Sequence, residues 1–329
     1  MNGNRLSNDR LIREGGVELS RIAVVGELLI DLISTNTVKD LGEATSFRRF
    51  FAGSPGNLAS NLNDLGIESI LLSRVGNDPF GRAYLEHLRL KGIDTSFVQQ
   101  DQEAHTSVVF VSKSQSSPQF SAFRGADCLL EEPYDIDSFM KDTDFIHFTA
   151  WPLSCERSRE VCCKLVDYAL RTGVRISFDP NYRQILWTHN QDGSEFIKGF
   201  LENVFLVKPS EDDANEIFGP GKPLDYIRKF HESGAKNVIL TLGQKGSMIS
   251  DGNRVVTLPS CARRVVDTTG AGDAFWSGVL FGLLGGKNIF ESAVYGNYCA
   301  GFRIEHEGKE VILPSIDALK AIFEAGDNL

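Results

Sequence analysis

A carboxylate stands next to a glycine-rich turn in the stretch DTTGAGDAFWSGVL, residues 267–280. Glycines let backbone amides come close to a ligand, and the first amides of a helix lack intrahelical partners and carry the positive end of its dipole. The turn precedes a strongly apolar helix predicted over residues 274–284, so it predicts an anion hole for a polyphosphate. This anion hole consists of Gly270, Ala271 and Gly272.

Asp273 falls in the first turn of that helix. A carboxylate beside a polyphosphate is repelled unless a hydroxyl proton has to be removed, so the pairing predicts phosphoryl transfer with Asp273 as the general base. The alternative is that Asp273 only complements the helix dipole and that the glycines only form a tight helix entry. Partners found elsewhere in the chain favour the first interpretation.

The overall composition is that of a soluble protein. Of 329 residues, 42% are hydrophobic and 24% charged, and no apolar run is long enough to cross a bilayer. The net charge of -10 argues against a nucleic-acid partner, so an anionic nucleotide must be met by local amides, a few basic residues and a metal. Residues 1–20 are polar and lack the apolar stretch of a secretory signal, which predicts a tail or an added strand. Together with the cysteine usage, this predicts a cytoplasmic protein. The six cysteines form no CxxC pair and no Cys/His metal spacing, and are predicted to be reduced, buried small residues.

Two stretches near the amino terminus place polar groups beside apolar elements. IAVVGELLIDLI, residues 22–33, is predicted to be one buried strand interrupted by a Gly-Glu pair. Its carboxylate Asp31 needs hydrogen-bond donors, which are either sugar hydroxyls or neighbouring backbone amides. FFAGSPGNLASNLNDLG, residues 50–66, is predicted to be a turn that feeds a helix. There Gly53 permits close backbone approach and Asn57 can donate to and accept from a hydroxyl, unless the segment is a plain helix start.

Residues 94–127 show alternating polar and apolar positions around the polar turn KSQSSPQ, which predicts antiparallel strands. With the polar segment 34–50 they are predicted to form a small sheet that acts as a lid over a site. Arg124, near the end of this region, either reaches a substrate or is an edge charge that discourages sheet pairing. Because exposed strand edges pair readily, the lid is also a candidate homodimer surface.

Strands and helices alternate over the rest of the chain, which predicts one α/β domain over residues 21–329 with a mostly parallel sheet. Ligands of such sheets bind at the carboxyl ends of the strands. Polar residues and glycines follow three predicted strands: Asp179, Asn181 and Arg183, then Lys208 and Ser210, then Thr241, Gly243 and Gly246. Their shared position predicts a single site. The chain contains no GxxxxGK[ST] P-loop, and the first strand leads into GELLID rather than the dinucleotide fingerprint GxGxxG.

Three motifs carry a resemblance to a known family. DTTGAGDAFWSG and AGSPGNLA match the nucleotide and sugar motifs of ribokinase-like (PfkB) sugar kinases, and GNDPFGRAYLEHLRLKGIDTSFV resembles a stretch seen in them. The resemblance covers residues 21–329. It implies a doubly wound, mostly parallel α/β sheet with helices on both faces and a small β-sheet lid. It also implies an enzyme that moves the γ-phosphoryl group of ATP to a sugar hydroxyl with Mg²⁺.

The resemblance further assigns roles to single residues, with Asp273 as the base. The sugar would be held by Asp31, Gly53 and Asn57. The nucleotide phosphates would be held by Thr241, Gly243 and Gly246, with Asn297 near the adenine, and Lys208 and Ser210 are also predicted to bind the nucleotide. A monovalent cation, usually K⁺, would be bound by Asp267 and Thr269. Many members carry an NxxE motif linked to Mg²⁺ and phosphate, and the equivalent positions here hold Ser210 and Asp213. Asp is one methylene shorter than Glu, a difference that a water-bridged Mg²⁺ contact at Asp213 could absorb.

Two smaller motifs bear on the acceptor. FDPNYRQILW, residues 178–187, and FRGADCLL, residues 123–130, resemble fructokinases most closely. They imply that Asp179, Asn181, Arg183 and Arg124 contribute to binding fructose, whose carbon 6 hydroxyl would be the acceptor. The nearest alternative is a 2-keto-3-deoxygluconate kinase or another PfkB sugar kinase. An alternative of a different class is a non-catalytic sugar or nucleotide sensor on the same fold.

Overall fold

The computed structural model describes residues 21–113, 119–187, 192–308 and 311–324. The strands are β1 Arg21–Val25, β2 Leu29–Thr37, β3 Phe47–Ala52, β4 Ser69–Gly76, β5 Val98–Asp101, β6 Val108–Lys113, β7 Phe120–Phe123, β8 Thr143–Thr149, β9 Arg175–Asp179, β10 Leu206–Val207, β11 Asn237–Thr241, β12 Ser247–Ser250 and β13 Val255–Leu258. The helices are α1 Ser54–Asp64, α2 Pro79–Leu90, α3 Ile136–Met140, α4 Glu156–Thr172, α5 Gly193–Phe200, α6 Glu211–Phe218, α7 Pro223–Glu232, α8 Ala271–Leu284, α9 Ile289–Ile304 and α10 Ile316–Glu324. None of the helices within these ranges is long and apolar enough to span a lipid bilayer. The predicted tail over residues 1–20 and most of the turn KSQSSPQ lie outside the described residues.

Nine strands form one large sheet in the order β13-β12-β11-β10-β9-β8-β1-β4-β5. Seven of these strands, from β11 to β5 in that order, run parallel to one another. At the edge opposite β5, β12 pairs antiparallel with β11 and β13 pairs antiparallel with β12. Alternate side chains of β1 enter two separate cores, since Ala23 and Val25 pack in one and Ile22 and Val24 in the other. A sheet buried on both faces needs continuous apolar strands such as this one. The predicted mostly parallel α/β architecture is confirmed.

A second sheet of four strands, in the order β3-β2-β6-β7, is the predicted small sheet, and we call it the lid sheet. Its bounds differ from the prediction in two places. The run at residues 22–33 forms two strands in different sheets, because the chain leaves β1 at Gly26 and enters the lid sheet at Leu29. Strand β5, inside the segment 94–127, pairs with β4 and belongs to the large sheet. Periodicity could not reveal this division, because the strands on both sides of the break are apolar.

Helix α8, which carries the glycine-rich turn, is fixed by packing against α9. It begins at Ala271, three residues before its predicted start, so the anion hole belongs to its first turn. Gly270 precedes it with a φ of 75°, a left-handed conformation that favours glycine. Further along, a methyl group at Gly278 would overlap the backbone carbonyl of Tyr295 on α9. Close contact between the two helices therefore holds the amino end of α8 in place.

Two cysteines correct the prediction that all six are reduced. Cys128 and Cys155 form a disulfide, with their Cα atoms 5.2 Å apart. They are 27 residues apart in sequence and meet because the helical turn at Ala126–Leu129 packs against the start of α4. Their spacing in the chain gave no signal for this long-range contact. The prediction that all six are buried is also wrong, since Cys163 is exposed.

Candidate active site

Asp273, the predicted base, extends from the first turn of α8 toward the start of α1. Its Oδ1 accepts a hydrogen bond from Ser54 Oγ, and its Oδ2 accepts one from Asn57 Nδ2 at 2.9 Å. Burial raises the pKa of Asp273 to about 6, although these two hydrogen bonds and the charge of Lys208 act against the rise. A carboxylate with a pKa this close to neutrality suits proton transfer from a hydroxyl. Asn57, predicted as a sugar ligand, is thus also a direct partner of the base.

The first turn of α1 is anchored by Glu27, which the sequence pattern marks only as an interruption of a strand. Glu27 is 3% exposed; its Oε1 accepts a hydrogen bond from Ser54 N at 3.2 Å, and its Oε2 accepts one from Thr149 Oγ1 at 2.8 Å. Burial raises the pKa of Glu27 to about 7. Gly53 has a φ of 101°, and a methyl group there would overlap the Glu27 carbonyl. Glu27 therefore positions Ser54, which in turn contacts the base, and a lone carboxylate in an apolar run was the signal that could have found it.

Two buried cations flank the predicted anion hole. A methyl group built on Gly272 would lie 3.6 Å from Lys208 Nζ, and one built on Gly270 would lie 3.4 Å from Arg303 Nε. Both ends of the turn therefore face a positive charge. The Ala271 amide is already used within the turn, where it donates to a backbone carbonyl at 3.2 Å. Lys208 was predicted to bind the nucleotide, whereas Arg303 lies on α9 in a stretch where no motif drew attention to it.

Lys208 is paired with Asp179 at the end of β9. Its Nζ lies 3.2 Å from Asp179 Oδ2, and both side chains are buried. Trp276 Nε1 donates to the same carboxylate oxygen at 2.8 Å, and Asn181 N lies 3.2 Å from the other oxygen, to which it donates. Trp276 follows Asp273 by three residues on α8, so this network ties the ends of the strands to the helix that carries the base. Asp179 and Asn181, predicted as sugar ligands, are thus brought close to the anion hole.

Asp213 holds together the loops that follow β9 and β10. Its carboxylate accepts hydrogen bonds from Tyr182 N and Ser210 N, each at 2.8 Å, and from Ser210 Oγ at 2.7 Å, and Arg183 Nη1 lies 3.3 Å away. Both Asp213 oxygens thus accept hydrogen bonds from N–H or O–H groups, and the predicted water-bridged Mg²⁺ contact at this residue stays a prediction. Within the described ranges no cluster of three His, Cys, Asp or Glu side chains could hold a metal ion. The contacts with Tyr182, Arg183 and Ser210 tie the two loops together.

The residues predicted to bind the nucleotide lie at the ends of β10 and β11 and on α9. Ser210 and Thr241 form a bridge between the two strand ends. Gly243 and Gly246 both have positive φ, and a methyl group at Gly246 would overlap a backbone carbonyl, so this turn requires glycine. Asn297 Nδ2 donates to a carbonyl in the loop after β13 at 3.0 Å. The fold therefore places Ser210 and the two glycines at the ends of neighbouring strands, whereas Asn297 lies on α9.

A cleft of about 1040 Å³ lies between the lid sheet, α1, α2 and residues 266–270. Asn57, which donates to Asp273, and Gly270 of the predicted anion hole line it. Asp31, predicted as a sugar ligand, lies on β2 directly opposite Phe50, another lining residue. Four exposed or half-buried basic side chains also line the cleft: Arg48, Arg49, Lys91 and Lys113.

Arg124, predicted to reach the substrate, is held by other groups of the protein. Its Nε donates to Asp127 Oδ2 at 2.6 Å and its Nη1 donates to Ser154 Oγ at 2.8 Å. The guanidinium also lies 4.8 Å from the ring centre of Trp151. These contacts favour a structural role for Arg124, because binding a substrate would require it to leave partners that are themselves buried.

The fold and this arrangement define an α/β phosphotransferase. Residues 19–316 match the family described as pfkB family carbohydrate kinase, and the chain belongs to that family. It is therefore a carbohydrate kinase, and the predicted family resemblance is confirmed.

Three known proteins show how far the similarity extends. The chain is 40% identical to the ATP-dependent 6-phosphofructokinase of Thermoanaerobacterium thermosaccharolyticum, over 92% of this chain and 94% of that protein. The structure of Halothermothrix orenii fructokinase matches with a TM-score of 0.77 and 39% identity, covering 84% of this chain and 97% of the other. A double-mutant fructokinase of Vibrio cholerae, in a form with fructose, ADP and a potassium ion bound, matches with a TM-score of 0.81 and 26% identity, covering 93% and 98%.

Proposed function

We propose that this kinase transfers the γ-phosphoryl group of ATP to the carbon 6 hydroxyl of fructose, giving fructose 6-phosphate and ADP. The observation that carries the proposed reaction is the buried Asp273 carboxylate in the first turn of α8, held by Ser54 and by Asn57, which also lines the cleft. In the reaction Asp273 accepts the hydroxyl proton while the sugar oxygen bonds to phosphorus and the bond to the ADP oxygen breaks.

The groups around the anion hole stabilise the charge of the transferred group. Lys208 and Arg303 place fixed positive charges at Gly272 and Gly270, inside a partly buried site where such charges act more strongly than in water. ATP would bring its divalent cation, proposed to be Mg²⁺, bound mainly through the phosphates, as Mg²⁺ commonly is in kinases. The chain thus contributes positioning, fixed charge and a base.

A second candidate acceptor is fructose 6-phosphate, and two observations favour it. The cleft carries Arg48 and Arg49 on β3 and Lys113 at the end of β6, which suit an anionic substituent of the sugar. A relative with 40% identity is named a 6-phosphofructokinase. The same cations would also suit the carboxylate of 2-keto-3-deoxygluconate. Fructose is preferred because the motifs at residues 123–130 and 178–187 resemble fructokinases most closely.

Initial rates of ADP formation with a panel of acceptors distinguish these candidates. With MgATP, fructose is expected to give a kcat/KM about tenfold or more above those of fructose 6-phosphate and 2-keto-3-deoxygluconate. A higher kcat/KM for fructose 6-phosphate or 2-keto-3-deoxygluconate than for fructose would identify that anionic compound as the acceptor. Arg48→Ala should then raise the KM of the anionic acceptor while leaving the KM of fructose unchanged. Saturable sugar and ATP binding without any ADP formation would instead support a non-catalytic sensor.

The pH dependence follows from the pKa of Asp273. Because the base must be ionised to accept a proton and its pKa is raised to about 6, kcat/KM is expected to fall as the pH is lowered through about 6. Ser54→Ala removes a donor that favours the ionised form, so the acid limb should move to higher pH. Ser138→Ala is the matched control, since the Ser138 hydroxyl also donates to a carboxylate, Asp135 Oδ2 at 2.6 Å, but lies on α3 and does not line the cleft. If the acid limb of the Ser54→Ala profile does not move, the hydrogen bond from Ser54 does not lower the pKa of Asp273.

The lid sheet also supports a proposed homodimer. Its outer strands β3 and β7 have edges that no further strand covers within the described residues, and Phe123 on β7 is 63% exposed. A monomeric mass measured by light scattering in solution would contradict the proposed homodimer.

A further inference from the structure

Arg303 is a charged residue buried beneath the first residue of the anion hole. It is 4% exposed and lies near the carboxyl end of α9. Its Nε is 3.4 Å from a methyl position on Gly270, and its Nη1 donates to the His306 carbonyl at 3.1 Å. The guanidinium is therefore fixed in place next to the turn that would receive the γ-phosphate.

The same guanidinium faces Asp267, which was predicted to help bind a monovalent cation. Arg303 Nη2 lies 3.9 Å from Asp267 Oδ2, and the carboxylate also accepts hydrogen bonds from Thr269 N at 2.9 Å and Gly308 N at 3.4 Å. The carboxylate therefore already faces a cation supplied by the chain itself.

This set of neighbours does not fit K⁺. Potassium sites in proteins are built from oxygens that replace the water shell of the ion. Here Asp267 is contacted by the amide and hydroxyl groups of Thr269, the Gly308 amide and the Arg303 guanidinium, and all of them present hydrogen-bond donors or positive charge to the carboxylate. A second cation placed against Asp267 would be repelled by Arg303.

We propose that the Arg303 guanidinium takes the place of a monovalent cation beneath the anion hole, so that catalysis by this chain requires neither K⁺ nor Na⁺. The proposal rests on the proposed phosphoryl transfer to a sugar. A permanent charge on α9 stabilises the phosphoryl group and the ionised Asp267 without any ion having to bind. The Vibrio cholerae fructokinase with a bound potassium ion provides a comparison enzyme.

The first test compares the intact enzyme in K⁺ and in tetramethylammonium at matched ionic strength, with ATP supplied free of alkali cations. The expected result is the same kcat and KM in both salts, and the same melting temperature with ADP present. A rate or a melting temperature that rises with K⁺ would overturn the proposal. The melting comparison needs no acceptor, so it remains informative if the proposed sugar phosphorylation fails.

The second test uses Arg303→Met, which removes the charge and keeps much of the volume, with Arg303→Lys as the charge-preserving control. Arg303→Met is expected to lose about 100-fold in kcat without alkali cations, and Arg303→Lys much less. Potassium should raise the rate and the ADP-bound melting temperature of Arg303→Met, because K⁺ can then approach Asp267. Unchanged kcat in Arg303→Met would overturn the proposal. If that variant does not fold, Arg303→Lys and the intact enzyme still decide the question, since neither should respond to K⁺.

Discussion

Replacing Asp273 by asparagine is expected to lower kcat by about 100- to 10,000-fold while the affinities for ATP and sugar stay near those of the unaltered enzyme. Asparagine has nearly the same shape and can still accept the Ser54 hydrogen bond, but it cannot take a proton from the acceptor hydroxyl. The amide of Asn57 can turn to present its oxygen to the new side chain, so the first turn of α1 should remain in place. The loss should therefore fall on the chemical step.

The measurements are kcat from ADP formation and the affinity for ADP and sugar by calorimetry. Asp225→Asn is the matched control, because Asp225 also lies in the first turn of a helix but is half-buried, pairs with Arg228 and does not line the cleft. A carboxylate that only complements a helix dipole contributes about 0.3 to 1 kcal/mol to stability and nothing to turnover. If Asp273→Asn behaves like Asp225→Asn, the assignment of the base is wrong.

Replacing Lys208 by methionine is expected to have two effects of different origin. It leaves the Asp179 carboxylate buried without its cation at 3.2 Å, which should cost about 3 to 5 kcal/mol in the free energy of unfolding. It also removes the positive charge at Gly272, which should lower kcat by about 100- to 1,000-fold. Denaturant unfolding measures the first effect and steady-state kinetics the second.

A double variant separates these effects. Lys208→Met combined with Asp179→Asn removes both charges, so most of the lost stability should return, because no unpaired buried charge remains. The rate should stay low, since the charge at Gly272 is still missing. Asp179→Asn alone supplies the reference rate for this comparison. Recovery of kcat together with stability in the double variant would show that Lys208 acts only through folding.

The features predicted correctly from sequence are those encoded by short, local patterns. Helix α8 is predicted from a glycine turn before an apolar run, although the predicted start at residue 274 lies three residues after the observed start at Ala271. The strand-end residues Asp179 and Lys208 were placed together because parallel strands end at one edge, and the structure joins them at 3.2 Å. Topology rules can therefore predict contacts between residues far apart in the chain, which the periodicity of a single element cannot.

The missed features are contacts between residues far apart in the chain. Ser54 and Asn57 reach Asp273 across 219 and 216 residues, and no local pattern at α1 identifies a partner on α8. Arg303 resembles any basic residue near a helix end, and only the packing of α9 places it under Gly270. The division of the apolar run at residues 22–33 between two sheets was missed for a related reason, since burial of both strands hides the break.

The central claim is transfer of a phosphoryl group from ATP to a sugar hydroxyl, and phosphorus-31 NMR of one reaction tests it most directly. The mixture contains the enzyme, MgATP and fructose, and the spectrum is followed to completion. The account predicts that ADP and a primary sugar phosphate ester accumulate in equal amounts, with no inorganic phosphate beyond the blank. Persistence of ATP, or ADP accompanied by inorganic phosphate alone, would contradict it.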